Sequence, residues 1–407
     1  MSFAIAIGGL ALLIVIHEAG HFFVARAVRM RPRKFYLFFP PALWKTTRNG
    51  IEYGIGAIPL GGYVKIPGMH RPAAGDLHAH LHHAVQEAPE LKRPTDDAAA
   101  ALDAERYDDA RAALGDLRGA LARATVSEPV AHRADKGITD LEDALSGDAY
   151  WRAAVWKRVA VIFAGPGVNL VFAVALLAVV FALGVPVANT VESVVAGSPA
   201  ERAGLEPGDR IVEVNGNEIT PILTERIPAR ITGTEARDVA VVVERDGERV
   251  ALAPTRTEEI EGAYRLGFVL ARTEESFGPL ESTEYALRET WAITTATGSA
   301  LARIVTGSGR DEISSPVGIV QVSSESIGID YRIYLRLLAI ISLSLALLNL
   351  LPLLPLDGGH IVFSLAEALR GRAIPRVAYE RASMIGIFLV LMLFALGLSN
   401  DIGRLSG

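Results

Sequence analysis

Four long apolar runs dominate the pattern of hydrophobic and polar positions along the chain. They cover Phe3–Val28, Val159–Ala188, Leu337–Leu356 and Met384–Leu398. A helix needs roughly 20 apolar residues to cross a hydrocarbon core of ~30 Å, so the last run spans a membrane only with its flanking residues. The first run lacks the basic start and the small-residue cleavage site of a signal peptide, and we expect it to persist as a helix. The pattern predicts a multi-pass α-helical membrane protein with about four transmembrane helices.

The chain between the first two runs is polar and changes in composition along its length. Gly50–Ile66 alternates in part between apolar and polar residues and is broken by glycines, which predicts short strands or a β-hairpin instead of a helix. Residues 76–150 are rich in Ala, Asp, Glu and Arg. We interpret them as an acidic cytoplasmic insertion, partly helical and partly flexible, with Thr95–Ala124 as a solvated helix. The histidines within His78–His83 lack the spacing of a metal site and are interpreted as part of a solvated loop.

The chain after the second run has the shorter pattern of a soluble α/β domain. Strands are expected at Val191–Val195, Arg210–Val214 and Val239–Glu244, with NGN and DGE as turns. Pro279–Ile304 predicts an amphipathic helix on the outer membrane surface or on this domain. The predicted segments, in order, are the first transmembrane helix (1–28), the β segment (29–75), the acidic insertion (76–150), the second transmembrane helix (151–188), the external domain (189–256), a linker with the amphipathic helix (257–334), the third transmembrane helix (335–370) and the fourth with the C-terminus (371–407).

Composition narrows the class of protein. The 407 residues are 50% hydrophobic and 21% charged, with a mean hydropathy of +0.31, which excludes a disordered chain and points to membrane lipid as a partner. The formal net charge of −6 argues against a nucleic-acid-binding protein, which needs a basic face. The chain has no cysteine, so a metal site would use His, Asp and Glu.

Basic residues near the ends of the runs predict the orientation in the membrane. Clusters of Arg and Lys follow the first run, precede the second and lie between the third and fourth, and all face the cytoplasm if both termini lie outside. Arg332 and Arg336 go against this arrangement but are outnumbered. We therefore expect a protein of the inner (plasma) membrane in which residues 189–334 are extracytoplasmic.

The strongest chemical signal is the pentapeptide HEAGH, His17–His21, inside the first run. Positions i and i+4 of a helix share a face, so both imidazoles can reach one metal ion, with Glu18 placed as a general base for water. Ionisable groups inside a membrane span are costly and usually functional, which disfavours two merely structural histidines. At ~1.5 Å per residue His17 lies ~21 Å into the run, in the cytoplasmic half of the bilayer.

A hydrolytic zinc site needs a third protein ligand and an open position. Asp357 is the candidate, because it ends the third run after two helix-breaking prolines and before two glycines that permit a tight turn. Two alternatives remain open: Asp357 caps the following helix, or the nearby His360 is the ligand.

These motifs resemble the site-2 protease family of intramembrane zinc metalloproteases. The resemblance rests on HEAGH, FAGPGVNL (Phe163–Leu170), YGIGAIPLGGYVKI (Tyr53–Ile66) and NLLPLLPLDGGH (Asn349–His360), and it covers most of the chain outside the acidic insertion. It points to the RseP-like branch, which carries external PDZ domains. The chain departs from the family pattern at Leu354, where a second proline is common.

The resemblance implies a site of defined composition. It assigns one Zn²⁺ ion to His17, His21 and Asp357, and the role of catalytic base to Glu18. It also implies that Asn349, Pro352 and Asn169 contribute to substrate binding. AGSPAERAGLEPGDRIVEVNGNEI (Ala196–Ile219) is similar to a bacterial PDZ domain, which implies either a site for a peptide or C-terminus, or a filter against substrates with bulky external regions.

The function implied is hydrolysis of peptide bonds within transmembrane segments of single-pass proteins, such as anti-sigma factors or remnant signal peptides. The resemblance implies that the glycine-broken segment is a membrane-associated β-hairpin. Such a segment offers a strand edge for an unwound substrate. Two other classes fit less well. A membrane-anchored PDZ adaptor without catalysis has no need of Glu18 or Asp357, and a metal transporter has more polar residues along its other spans.

Overall fold

Four helices have the length and apolar character of membrane spans. The computed structural model describes residues 2–219, 227, 231–232, 234–260, 262–305 and 315–406. Within them the candidate spans are Ser2–Ala27, Val155–Leu183, Tyr331–Asn349 and Val377–Gly403. The predicted number of spans is confirmed. The fourth covers 27 residues, because flanking residues on both sides extend the short apolar run into one helix.

Three of the spans pack on one another around a small apolar core. Leu13 of α1 (Ser2–Ala27) and Leu338 of α10 (Tyr331–Asn349) are almost fully buried with Phe172 of α6 (Val155–Leu183) against them. The fourth span belongs to α12 (Arg376–Ser406), whose large apolar side chains are mostly exposed. Exposed apolar surface of this kind suits contact with lipid, whereas side-chain packing holds α1, α6 and α10 together.

The predicted amphipathic helix is α8 (Pro279–Val305). Its buried Ala286 packs with Leu177 and Phe181 of α6 and with Ala339 of α10. Arg288 of the same helix lies 3.1 Å from Glu218 in the sheet that follows α6, so the helix contacts the predicted domain as well as the spans, which were not expected as its support. The small side chain of Ala286 permits the close approach to the spans.

The third apolar run forms two helices rather than one. α10 ends at Asn349, a loop covers residues 350–356, and α11 begins at Asp357 (Asp357–Arg370). Proline lacks an N–H donor and disfavours helical backbone in the residue before it, so the two prolines of this loop end α10. The predicted third segment of 335–370 is corrected accordingly: Asp357 starts α11 instead of ending the span.

The β segment is a hairpin of two long strands that bend back, so that part of each strand has the other strand on both of its sides. Strands β1 (Lys34–Arg48) and β2 (Ile51–Lys65) pair across their turn through residues 42–48 and 51–56. Residues 34–37 pair both with residues 52–55 and with residues 62–65. Among the described residues, 62–65 therefore have a strand partner on one side only, which leaves an edge.

The acidic insertion is a helical bundle with its own core. The core consists of fully buried apolar side chains, Leu77, Leu81, Leu114, Leu117 and Ile138 among them. Its helices are α2 (Ala74–Glu87), α3 (Lys92–Asp103), α4 (Tyr107–Arg123) and α5 (Glu128–Ala144). The prediction of a partly flexible segment is wrong, because alanines and leucines give each helix a face that the others bury.

Two details of the insertion also differ from expectation. Thr95–Ala124 is divided between α3 and α4, with Glu105 at a φ of 53° in the turn between them. The histidines within His78–His83 lie on α2 instead of in a loop. The two ends of the bundle meet, since Tyr150 N–H donates to the Pro67 carbonyl oxygen at 2.9 Å.

Acidic side chains of the insertion hold the base of the hairpin. Lys65 pairs with Asp140, and Arg33 lies 2.8 Å from Asp143 and 3.1 Å from Asp148. Burial tends to raise the pKa of the Asp148 carboxyl, but hydrogen bonds, chiefly from Arg33, outweigh it and hold the pKa below its usual range. The bundle and the hairpin are therefore joined by charge as well as by the chain.

The region between α6 and α8 is built on one antiparallel sheet of strand order β12–β3–β4–β7–β8, with β5 beside β4. Its strands are β3 (Val185–Val194), β4 (Arg210–Val214), β5 (Asn217–Glu218), β7 (Val241–Arg245), β8 (Glu248–Ala251) and β12 (Phe268–Glu275). The smaller elements are α7 (Pro199–Arg202), β6 (Asp238–Val239), β9 (Thr255–Arg256), β10 (Glu258–Ile260) and β11 (Ala263–Arg265).

The limits of this sheet are wider than the predicted domain. Gly184, at a φ of 103°, ends α6, so the sheet begins at Val185 instead of near residue 189. β12 pairs with β3 and extends the sheet to Glu275, beyond the expected limit of 256. Residues 220–226, 228–230 and 233 of the predicted domain, and 261 and 306–314 of the predicted linker, lie outside the described residues.

A buried ion pair joins α6 to α11 and yields a stability prediction. Arg158 Nη1 lies 2.6 Å from Glu367 Oε2, and both side chains are largely buried. Removing one partner leaves the other charge uncompensated, so we expect Glu367→Ala to lower the free energy of unfolding by about 3–5 kcal/mol. SDS-titrated unfolding in detergent measures the loss. Lys92→Ala breaks the exposed Lys92–Asp96 pair and should cost less than about 1 kcal/mol; equal losses would contradict the prediction.

Candidate metal centre

The two histidines of HEAGH lie on one buried face of α1. His17 and His21 are each 8% exposed, and their ring centroids are 4.8 Å apart. The i, i+4 spacing in a continuous helix brings their Nε2 atoms to 3.2 Å from each other. The expected shared face is thus present.

A backbone contact sets the orientation of His21. Its Nδ1 lies 2.8 Å from the carbonyl oxygen of Val161 on α6. A carbonyl only accepts, so Nδ1 carries the proton and donates, and Nε2 keeps a free lone pair. His21 is held in the tautomer that a metal ligand needs.

Glycines bring α6 close enough to form the site. A Cβ on Gly20 would lie 2.5 Å from the Ala164 carbonyl oxygen, and a Cβ on Gly165 would lie 2.3 Å from His21 Nε2 and 2.9 Å from His17 Cε1. Both positions therefore require glycine, as is usual where membrane helices approach closely.

This close approach makes Gly165 a sensitive position. We expect Gly165→Ala to displace both imidazoles and to weaken zinc binding at least about 10-fold, the lower range for disturbing the support of a ligand. Competition with a fluorescent chelator measures the affinity. Gly167→Ala is the matched control on the same helix, since its Cβ would meet only the side chain of Phe163 at 3.1 Å. Equal affinity in the two variants would refute the expectation.

Asp357 completes the cluster from the first turn of α11. Its Oδ2 lies 3.2 Å from His17 Nε2 and 3.4 Å from His21 Nε2. The N-cap position of α11 is Leu356, so Asp357 is not the cap that the sequence left open. His17, His21 and Asp357 form a group whose ligand atoms lie within 4.8 Å of one another, and His360, which is among the described residues, is not part of it.

The spacing of these donors fits a zinc ion. Tetrahedral Zn²⁺ with ligands at about 2.0–2.1 Å needs ligand atoms about 3.3–3.4 Å apart, and the three distances here are 3.2, 3.2 and 3.4 Å. Asp357 Oδ2 is buried without a hydrogen-bond partner, a cost that a bound cation would remove. Two nitrogens and one carboxylate oxygen form the donor set of a catalytic zinc site with one open position.

Glu18 lies between this cluster and the hairpin. A Cβ on Gly62 of β2 would lie 2.8 Å from Glu18 Cγ, and the backbone of Val64 contacts the Glu18 carboxylate. The candidate base therefore faces residues 62–65, the segment of β2 that forms the sheet edge.

The remaining predicted residues occupy different surroundings. Asn349 is half-buried at the end of α10, and Pro352 is exposed in the loop that leads to Asp357. Asn169 has no exposed surface, and its amide nitrogen lies 3.5 Å from His17 Nδ1. The structure brings Asn169, alone of these three, into contact with a histidine of the cluster.

Sequence reasoning missed the residues that make room for the site. Gly165 and Gly62 have no reactive group, and their importance lies in the absence of a side chain. Both occur in the quoted motifs, Gly165 as the first glycine of FAGPG and Gly62 as the second glycine of LGGY. A glycine inside an apolar span marks close backbone approach, and this was the available signal.

Comparisons with known proteins agree with this geometry. The model of Peptidase family M50 matches residues 5–393. A Brucella suis protein assigned as a zinc metalloprotease is 32% identical over 415 residues, which cover 97% of this chain and 93% of that protein. Protease RseP of Yersinia pestis is 30% identical over 454 residues, covering 99% of both chains. Regulator of sigma-E protease RseP of Salmonella typhimurium is 29% identical over 446 residues, covering 99% of this chain and 98% of that protein. With a family match over nearly its whole length, this chain belongs to peptidase family M50, the site-2 protease family of zinc metalloproteases.

Proposed function

We propose that this M50 peptidase hydrolyses peptide bonds inside the transmembrane segments of single-pass proteins. The observation that carries the proposal is the meeting of His17 and His21, in the apolar span α1, with Asp357 at the start of α11. Ionisable groups are costly inside a span, and a site placed there is suited to substrates that also lie in the bilayer.

The proposed roles follow from the donor set. His17, His21 and Asp357 hold one zinc ion, which supplies a Lewis acid for water and for the scissile carbonyl group. Glu18 takes a proton from the attacking water and returns it to the leaving amine. At the end of α10, the Asn349 amide donates to the developing oxyanion, and in the loop before Asp357, Pro352 contacts the substrate.

A helical substrate shields its peptide bonds and must unwind before water can attack. Residues 62–65 of β2 present a strand edge beside Glu18. An unwound substrate added to this edge makes main-chain hydrogen bonds and brings its backbone to the base. The far end of the hairpin exposes Leu43, Trp44 and Ile58, which fits insertion into lipid.

The proposed orientation has both termini outside and the zinc site in the cytoplasmic half of an inner (plasma) membrane. Two arginines at the start of α10 go against the positive-inside rule, but both are paired with acids. Arg332 lies 2.9 Å from Glu274, and Arg336 lies 2.8 Å from Glu289. The basic clusters on the proposed cytoplasmic side outnumber these two arginines.

We propose that the external sheet is a PDZ domain. A groove of about 950 Å³ lies along β12 and is lined by Ile227, Ile231, Leu266, Phe268 and Leu270 among others. β12 is an edge strand, so a peptide or C-terminus can extend the sheet there. The same domain above the membrane can also exclude substrates with bulky external regions. Single-pass proteins already trimmed outside, such as anti-sigma factors or remnant signal peptides, fit both uses.

The test uses the full chain purified in detergent and a panel of single-span substrates without external domains. We expect cleavage within the span, loss of cleavage when a chelator removes zinc, and recovery when about one equivalent of Zn²⁺ is restored. Mass spectrometry of the fragments locates the cut. A zinc-loaded protein that cleaves no span, or that cleaves only outside the spans, would overturn the proposal and favour a membrane-anchored adaptor.

A further inference from the structure

We propose that Asn169 is a positioning residue that sets the tautomer of His17 and so prepares its Nε2 to bind zinc. The inference rests on the proposed zinc site and assigns a new role to Asn169, in place of the substrate contact implied by the motif. The two ring nitrogens of His17 have different partners and different tasks.

To bind zinc, His17 must offer a free lone pair at Nε2. Its Nε2 lies 3.2 Å from both His21 Nε2 and Asp357 Oδ2, so Nε2 is the atom directed at the metal position. A metal ligand needs a free lone pair, which puts the imidazole proton on Nδ1. Nδ1 then needs an acceptor, as His21 has in the Val161 carbonyl oxygen.

The side-chain amide of Asn169 lies against Nδ1 of His17, with Nδ2 at 3.5 Å. In this orientation Nδ2 would donate to Nδ1 and force the proton onto Nε2, which is incompatible with a zinc ligand. The hydrogen-bond network decides which way an Asn amide points. A rotation of 180° puts Oδ1 at this position and provides the required acceptor.

This rotation breaks no hydrogen bond of Oδ1 among the described residues. Asn169 Oδ1 is buried and has no hydrogen-bond partner within the described part of the chain. The backbone of Asn169 is held within the continuous helix α6, and its carbonyl oxygen also accepts a hydrogen bond of 2.9 Å from Ser342 Oγ on α10. With no exposed surface, the side chain is inaccessible to a substrate and is well placed to orient His17.

The test compares zinc affinity in two variants of similar shape. Asn169→Leu removes the acceptor, and we expect zinc binding 10- to 100-fold weaker, the usual effect of losing the partner of a ligating histidine. Asn169→Asp keeps an acceptor for Nδ1–H, and we expect affinity at or above the wild-type value. Chelator competition measures affinity. The visible spectrum of bound Co²⁺ reports the ligand set directly, and it should change in the Leu variant and persist in the Asp variant.

The control is Ser342→Ala, which removes the contact with the Asn169 backbone and leaves the amide untouched. It should keep wild-type zinc affinity, so a loss shared by Ser342→Ala and Asn169→Leu would show a structural role and overturn the inference. Wild-type affinity and Co²⁺ spectrum in Asn169→Leu would overturn it too. If the Leu variant does not fold, Asn169→Ala provides the same comparison. A wild-type protein that binds no zinc would reject the proposed function itself, and the two failures are thus distinguishable.

Discussion

Glu18→Gln is expected to keep one bound zinc ion and to cleave a single-span substrate about 100- to 10,000-fold more slowly than wild type, the usual contribution of a general base. The amide has nearly the shape of the carboxylate but cannot take up a proton. Gly62 packs directly on this side chain, which holds the replacement in the same place. Single-turnover cleavage and elemental analysis of zinc measure the two quantities separately.

The matched control for this variant is Glu325→Gln. Glu325 is exposed on α9 (Pro316–Ile329) and interacts with Gln321, remote in sequence from the cluster. It should leave both rate and zinc content unchanged. Cleavage by Glu18→Gln at the wild-type rate would reject the role of Glu18 as base, and loss of zinc would make it a ligand instead.

Asp357→Asn is expected to weaken zinc binding by more than about 100-fold and to abolish cleavage. Loss of a residue that only hydrogen-bonds to a metal ligand already lowers metal affinity about 10- to 100-fold. Loss of the charge of a direct ligand should lower it further. The amide is almost isosteric with the carboxylate, so the close packing of Gly358 against Leu350 is preserved. Chelator competition measures the loss of affinity.

His360→Gln is the companion variant, because the sequence left His360 as a rival ligand. It should retain wild-type zinc affinity, as expected for a residue outside the cluster. If His360→Gln loses zinc and Asp357→Asn keeps it, the assignment of the third ligand is reversed.

The elements that carry the site were predictable because each has a strong local pattern. The HEAGH spacing depends only on helix geometry, and α1 is a single uninterrupted helix, so His17 and His21 meet as expected. Asp357 was identifiable through the prolines and glycines around it. The meeting of α1 with α11, however, connects residues more than 300 positions apart, which no local pattern contains.

Other features depend on packing between elements that are distant in sequence, and the local sequence pattern does not show such packing. The sequence pattern predicts a solvated insertion because its helices are short and charged. In the structure, however, each helix buries one face in the bundle core. The support of α8 by α6 rests on the small side chain of Ala286. The placement of Asn169 behind His17 requires the relative rotation of two spans, which periodicity alone does not specify.

The two ends of the acidic bundle lie next to each other, which makes this a position where the protease tolerates an insertion. Tyr150 and Pro67 are hydrogen-bonded neighbours, so the path from the hairpin to α6 is short whether or not a bundle is present between them. A chain inserted at such a point costs little, since doubling the length of a loop adds only about 0.6 kcal/mol. The insertion can therefore vary in length or acquire new surfaces while α1, α6 and α11 keep their arrangement. Its ion pairs to Arg33 and Lys65 nevertheless hold the bundle against the base of the hairpin, whose strand β2 lies beside Glu18.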